Sequence, residues 1–221
     1  MADEALCFDM YGTLCDVSSV ADAIERELDV PEGLATDVDA LWRSKQIEYA
    51  YHRGVMDRYE PFDVVTRDAL DYALNYYGLD VDATDALLAA YDDLDSYPEV
   101  LDALDTLTAE RDAVVFSNGT PAMLDRLAAN TGIDARVDAL VSADDVGALK
   151  PDPAVYEHVA RELDRSLSAC RLVSSNGWDV AGASAAGMST AWVNRDNDPE
   201  ERVGGDADVI IEDLTALADT L

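Results

Sequence analysis

Asp9 follows the apolar run Ala5-Leu6-Cys7-Phe8 directly, and a carboxylate that ends a buried strand is costly unless charge or hydrogen bonds compensate it. Gly12 permits a sharp turn just after it, which brings the following amides and the Thr13 hydroxyl back toward that carboxylate. Taken alone, the same pattern also describes an aspartate that merely caps a strand. Other polar groups punctuate later apolar runs in the same way: Ser117 and Asn118, then Lys150, then Ser174 through Asp179. All fall at the expected carboxyl ends of strands or just beyond them. A parallel sheet gathers such positions into one crevice, here holding carboxylates, hydroxyls, an amide and an ammonium. In such a crevice the Lys150 ammonium is the candidate to hold two carboxylates charged in one pocket.

Five short β-rich runs supply the strands: Ala5 to Asp9, Ala113 to Ser117, Ala139 to Ser142, Arg171 to Ser174 and Thr190 to Asn194, with Asp208 to Glu212 as a sixth. Helices begin between them at Tyr97-Pro98, Thr120-Pro121 and Pro151-Asp152-Pro153. This alternation predicts an α/β fold with a three-layer, Rossmann-like parallel-sheet core. The segment from about Ser18 to Tyr91 breaks it. Its pattern is helical, with runs from Leu34 to Tyr51 and from Pro61 to Tyr77, the latter stopped by Gly78. The expected division is a core of residues 1–16 and 96–221 and a helical cap of residues 17–95, inserted after the first strand.

Composition narrows the setting. The 221 residues carry 47 acidic and 15 basic side chains, a net charge of -32. Such a surface disfavours nucleic acid and anionic membranes as partners. The acids are spread through periodic apolar segments, which predicts folding, and molar salt would screen their repulsion to about 3 Å. A salt-loving source is the expectation. The three cysteines, Cys7, Cys15 and Cys170, show no metal or disulfide spacing, no apolar run is long enough to span a bilayer, and the Met1-Ala2-Asp3-Glu4 start is not basic. A cytoplasmic protein is expected. Only Lys45 and Lys150 are lysines, so each invites a specific role; for Lys45 that is an ion pair on the cap surface or an interface. His52 and His158 fit no catalytic position and read as solvated or capping residues. No serine sits in a Gly-x-Ser-x-Gly elbow.

The strand followed by Asp9-Met10-Tyr11-Gly12-Thr13 resembles the first motif of the haloacid dehalogenase superfamily. The stretch Phe8 to Val17 is similar to the start of the L-2-haloacid dehalogenases proper. Leu41-Trp42-Arg43-Ser44-Lys45-Gln46-Ile47-Glu48-Tyr49 resembles that family's cap helix, Phe116-Ser117-Asn118-Gly119 its second motif, Lys150-Pro151-Asp152-Pro153-Ala154-Val155-Tyr156 its third and Val173-Ser174-Ser175-Asn176-Gly177-Trp178-Asp179 its fourth. The superfamily's phosphatases carry an acid two places after the nucleophile and an acidic pair in the last motif. Here Tyr11 takes the first place, and Ser175 and Asn176 stand in the last motif. Magnesium prefers anionic oxygens near octahedral geometry, so neither a metal nor any other cofactor is expected.

The resemblance implies that Asp9 displaces halide from C2 of a short L-2-haloacid, and that water hydrolyses the resulting ester at the Asp9 carboxyl carbon to give a D-2-hydroxy acid. By the same resemblance, Arg43 and Asn118, with the edge of Trp178, receive the halide, and Ser117 with the amides of Met10 and Tyr11 holds the substrate carboxylate. Thr13 and Ser174 position Asp9 and Lys150, Asn176 and Asp179 handle the hydrolytic water, and Tyr156 bonds within the Lys150 and Asp179 cluster. Tyr11, Ile47, Phe62 and Trp178 form the apolar wall. Ser44 and Cys15 depart from the family pattern, which leaves chain-length preference open. A homodimer is expected. The competing readings are a magnesium-dependent phosphatase of the same superfamily and a non-catalytic protein that binds small carboxylates.

Overall fold

A computed structural model describes residues 4–221. The chain opens with β1 (Ala5–Phe8), followed by four helices, α1 (Ser19–Leu28), α2 (Glu32–Val55), α3 (Phe62–Tyr77) and α4 (Thr84–Ala89). The α/β alternation then runs α5 (Val100–Leu107), β2 (Ala113–Ser117), α6 (Pro121–Thr131), β3 (Ala139–Ser142), α7 (Pro153–Glu162), β4 (Cys170–Ser174), α8 (Gly177–Ala186), β5 (Ser189–Val193) and β6 (Val209–Ile211). The described chain divides into two compact units: residues up to Asp16 joined with Ser96–Leu221, and the helical stretch Val17–Asp95 between them.

In the first unit the six strands form one parallel sheet, ordered β3-β2-β1-β4-β5-β6. β1 and β2 are buried along their whole length, as a sheet covered on both faces requires, which is why they read as continuous apolar runs. Alternate residues serve the two faces. Cys7, Val114, Phe116, Val141, Cys170 and Leu172 share a core with Val155, Tyr156, Val159 and Ala183 from α7 and α8, whereas Leu6, Phe8, Val115 and Val173 point the other way and are equally buried. Each large apolar side chain withdrawn in this way contributes roughly 2 kcal/mol. The edge strand β6 is only three residues long and leaves Ile210 exposed. The order reverses direction between β1 and β4, so the crevice outside their carboxyl ends is a topological switch point.

The second unit is organised around α2 and α3. The Trp42 indole donates to the Thr66 carbonyl at 2.9 Å, and the Gln46 amide donates to the Thr66 hydroxyl and accepts from Tyr91. α2 runs beyond the Leu34 to Tyr51 pattern at both ends, starting after Pro31 and carrying His52 and Arg53 in its last turn, where cations suit the helix dipole. α3 stops at Gly78, whose φ of 69° is the left-handed conformation that glycine adopts freely. Lys45 pairs with Glu48 at 2.6 Å and lies 4.6 Å from the centre of the Tyr72 ring. His52 is largely exposed beside Glu48. Against the sequence expectation, His158 is neither solvated nor a helix cap: it is buried within α7, 3.6 Å from Asp145 and 3.8 Å from Glu162, because it shares the inward face with Val155 and Val159. Among the described residues, no helix is long and apolar enough to cross a membrane.

Candidate active site

The site begins where β1 stops. Asp9 lies one residue past the strand, yet its backbone N–H still donates to the Val173 carbonyl at 2.9 Å, extending the β1–β4 ladder to the carboxylate itself. The chain then reverses. Gly12 has φ 80°, and the Met10 carbonyl accepts from both Leu14 and Cys15. The turn lays the Thr13 hydroxyl 3.2 Å from Asp9 Oδ2, while the Ser175 amide donates to that hydroxyl at 2.8 Å. Asp9 is 6% exposed, so these bonds count at close to their buried strength.

Lys150 precedes α7 and is wholly buried. Its ammonium has three protons and three acceptors: Asp179 Oδ2 at 2.8 Å, the Phe116 carbonyl at 2.8 Å and Asp9 Oδ1 at 3.3 Å. Its Nζ also lies 4.2 Å from the centre of the Phe116 ring. The Lys150 backbone is fixed as well, since its amide donates to Asn118 Oδ1 at 2.7 Å. Burial works against the charged amine, but the Asp179 and Asp9 charges and their hydrogen bonds outweigh it and hold the Lys150 pKa above 10.5.

Asn176 and Asp179 stand at the start of α8, where the helix dipole favours negative charge. Asn176 occupies the N-cap position of α8, but its side chain makes no cap bond and instead donates to Asp9 Oδ2 at 2.8 Å. Asp179 is fully buried. Lys150 holds one of its oxygens, and the Tyr156 hydroxyl donates to the other at 2.8 Å. Burial pushes the Asp179 pKa up, the nearby Asp9 charge adds to this, and Lys150 opposes both.

One turn along α8, Gly182 makes this contact possible. A Cβ there would lie 2.5 Å from Tyr156 Oη and 2.5 Å from Pro151 Cβ. Alanine in place of a helical glycine gains roughly 1 kcal/mol from propensity, but forcing the overlap costs roughly 1–3 kcal/mol. Gly182→Ala is therefore expected to leave the melting temperature unchanged or lowered and to reduce turnover by about 100-fold, as Tyr156 is driven off Asp179. A raised melting temperature with full turnover would refute this.

Of the residues that the sequence singles out, Asp9, Thr13, Lys150, Tyr156, Asn176 and Asp179 form one hydrogen-bonded cluster. Ser117 and Ser174 are buried beside it, and their hydroxyls accept from the Gly119 and Asn176 amides. Met10 is buried, the Tyr11 carbonyl lies 3.4 Å from the Asn176 amide, and Trp178 sits partly exposed in the first turn of α8. Arg43, Ile47 and Phe62 belong to the second unit. There Arg43 donates to Asp39 at 2.9 Å and to the Val17 carbonyl. The sequence marks Ser175 only as a member of the last motif, without a role, and does not point to Trp192 or the Phe116 carbonyl. The indole of Trp192 donates to the Ser175 carbonyl at 3.0 Å and so steadies the loop that carries Asn176. Trp192 reads as a core residue of its strand, and a backbone carbonyl leaves no side-chain signal.

The donor set does not fit a magnesium ion. The two carboxylates are bridged by an ammonium, and the remaining oxygens and nitrogens nearby belong to neutral Thr13, Ser175 and Asn176. Among the described residues no group of three or more His, Cys, Asp or Glu is placed to hold a metal.

Comparison with known proteins agrees with this geometry. The family described as haloacid dehalogenase-like hydrolase matches residues 4–187. The (S)-2-haloacid dehalogenase of Pseudomonas sp. (strain YL) is 36% identical over 219 residues, which cover 98% of this chain and 93% of that protein. The haloacetate dehalogenase H-2 of Moraxella sp. (strain B) is 37% identical, with 97% and 96% covered. The solved structure of the L-2-haloacid dehalogenase from Xanthobacter autotrophicus with chloropropionic acid covalently bound superposes with a TM-score of 0.90 at 36% identity, covering 98% of this chain and 97% of that one. With that family matched over residues 4–187 and relatives of 36% and 37% identity aligned over nearly the whole chain, this chain belongs to the haloacid dehalogenase-like hydrolase family.

Proposed function

We propose that the chain hydrolyses short L-2-haloacids to D-2-hydroxy acids, without a metal, through an ester on Asp9. The observation that carries this reading is the Lys150 ammonium shared between Asp9 and Asp179, which supplies in place of a divalent ion the positive charge that two buried carboxylates need. Asp9 attacks C2 in line; the new C–O bond forms as the carbon–halogen bond breaks and its electron pair leaves with the halide. Water then adds to the Asp9 carboxyl carbon as Asp179 takes its proton; the bond from that carbon to the esterified oxygen breaks, and this oxygen leaves on C2, taking up the proton as the product hydroxyl and restoring the Asp9 carboxylate. The second attack leaves the C2–O bond intact, so C2 inverts once. Thr13 and Asn176, both on Oδ2, hold the carboxylate for the first step. The names of the relatives support the substrate class, and the hydrogen-bonded cluster of Asp9, Lys150, Asn176 and Asp179 supports the assignment of nucleophile and hydrolytic base.

The setting belongs to the same proposal. A charge of -32 supports a salt-loving source and function at high ionic strength, and free buried cysteines support a reducing cytoplasm. Of the exposed large apolar residues described, Tyr51, Val55, Met56, Val64, Tyr72, Tyr76 and Val81 lie in the helical unit, against Val203 and Ile210 elsewhere. That concentration supports a homodimer formed through the helical unit.

The test is bromide release from L- and D-2-bromopropionate in molar KCl with EDTA present, beside a phosphate-ester control with magnesium. The expected result is EDTA-resistant turnover of the L-isomer alone, falling when the KCl is diluted. Phosphate release that requires magnesium, with no bromide, would assign the chain to the phosphatases instead. Binding without turnover would mark a carboxylate-binding protein.

A further inference from the structure

Arg195 lies two residues beyond β5, in a part of the chain that the catalytic cluster does not use. Its side chain is only 17% exposed. The guanidinium donates to the Thr13 backbone carbonyl at 3.2 Å, pairs with Glu99 at 2.5 Å and stacks 4.0 Å from the centre of the Tyr97 ring. These partners come from the two ends of the first unit's chain break. On one side is the turn after Asp9. On the other is the segment that re-enters the unit at Ser96, where the Tyr97 amide donates to the Leu14 carbonyl at 3.0 Å and Cys15 bridges Ser96 antiparallel.

Thr13 is therefore gripped twice. Its hydroxyl is set between the Ser175 amide and Asp9, and its carbonyl is tied to Arg195. Three simultaneous contacts of different kinds suit a planar guanidinium and exceed what an ammonium can make. The arrangement is not optimal for stability alone, because Arg195 Nη1 is buried and finds no hydrogen-bond partner among the described residues, a costly omission.

We infer that Arg195 is a positioning residue for the dehalogenation, acting through Thr13 to hold the turn that aims the Asp9 carboxylate. This rests on the proposed function, and deepens it by assigning a role to a residue outside the four sequence motifs. An error of a few tenths of an ångström in the nucleophile affects the transition state more than the bound substrate, so the loss belongs to kcat and not to KM.

The test compares Arg195→Gln and Arg195→Lys with the wild-type chain, alone and combined with Thr13→Val, on L-2-bromopropionate. Amide hydrogen exchange is followed in parallel over residues 10–16. Both Arg195 variants are expected to lose kcat by about tenfold with KM changed less than about twofold. The double variants should be no slower than Thr13→Val alone, and exchange over residues 10–16 should quicken while β4 stays protected. Arg195→Lys keeps the charge opposite Glu99 and serves if the glutamine form does not fold. Unchanged kcat, losses that multiply fully with Thr13→Val, or unchanged exchange over residues 10–16 would each overturn the inference. A wild-type chain inert toward every haloacid would sink the proposed function instead, and the exchange data would then decide alone whether Arg195 clamps the turn.

Discussion

Lys150→Met is expected to abolish halide release and to cost the fold about 3–5 kcal/mol at neutral pH, the range found when one partner of a buried ion pair is removed. The ammonium is wholly buried and satisfies Asp9, Asp179 and the Phe116 carbonyl together, so methionine fills the space but leaves two carboxylates facing each other. The pH dependence has a definite sign. Asp179 already has a raised pKa from burial, and losing Lys150 raises it further. A carboxyl whose folded pKa exceeds its unfolded one stabilises the fold below the unfolded value and loses that contribution as pH rises through the folded value. The deficit of the variant should therefore shrink as the solution is acidified. In the wild type the raised Lys150 pKa acts at the other end of the scale: its contribution is complete below about 10.5 and is lost as pH rises through the higher folded value. Urea denaturation of both proteins at pH 5, 7 and 9 measures this, and a deficit that does not change with pH would disprove the account.

Asp9→Ala is expected to lower turnover by at least about 10⁴-fold, as the loss of a nucleophile does elsewhere, while stability changes by only about 1–2 kcal/mol. The contrast with Lys150 is physical. Without Asp9, the ammonium keeps Asp179 at 2.8 Å and the Phe116 carbonyl, so no buried charge is left alone. Thr13 keeps its bond from the Ser175 amide. Bromide release and thermal denaturation on the same preparation check both halves. Residual turnover within 100-fold of the wild type would remove Asp9 from the role of nucleophile.

Much of this arrangement was legible in the sequence because the core strands are buried on both faces. Ala5 to Phe8 and Ala113 to Ser117 stand out as apolar runs, and Gly78 marks the end of α3 as its place in the sequence predicts. The polar residues that end those strands were visible as interruptions, which is how Asp9, Lys150 and Asp179 drew notice together. What stayed hidden depends on partners distant in sequence. Gly182 looks like one more small residue in an alanine-rich helix until the Tyr156 hydroxyl is seen against it. Arg195 resembles any surface cation until Thr13, Tyr97 and Glu99 close around it. Asn176 stands at the N-cap position of α8, yet its side-chain amide donates to the Asp9 carboxylate, a charged and therefore strong acceptor. His158 is buried despite its polarity because its place in the helical repeat puts it on the inward face of α7 beside Val155 and Val159.

The ladder bond from the Asp9 amide to the Val173 carbonyl bears on which molecules this centre accepts. A loop-borne carboxylate can travel toward its target, but one whose own backbone amide is paired into the middle of a six-stranded sheet has almost no stroke. The reacting carbon must complete the approach by itself. Tolerance for the bulk carried on that carbon is thus a question of delivery depth: an anchored oxygen neither retreats from an oversized guest nor reaches out for one that stops short.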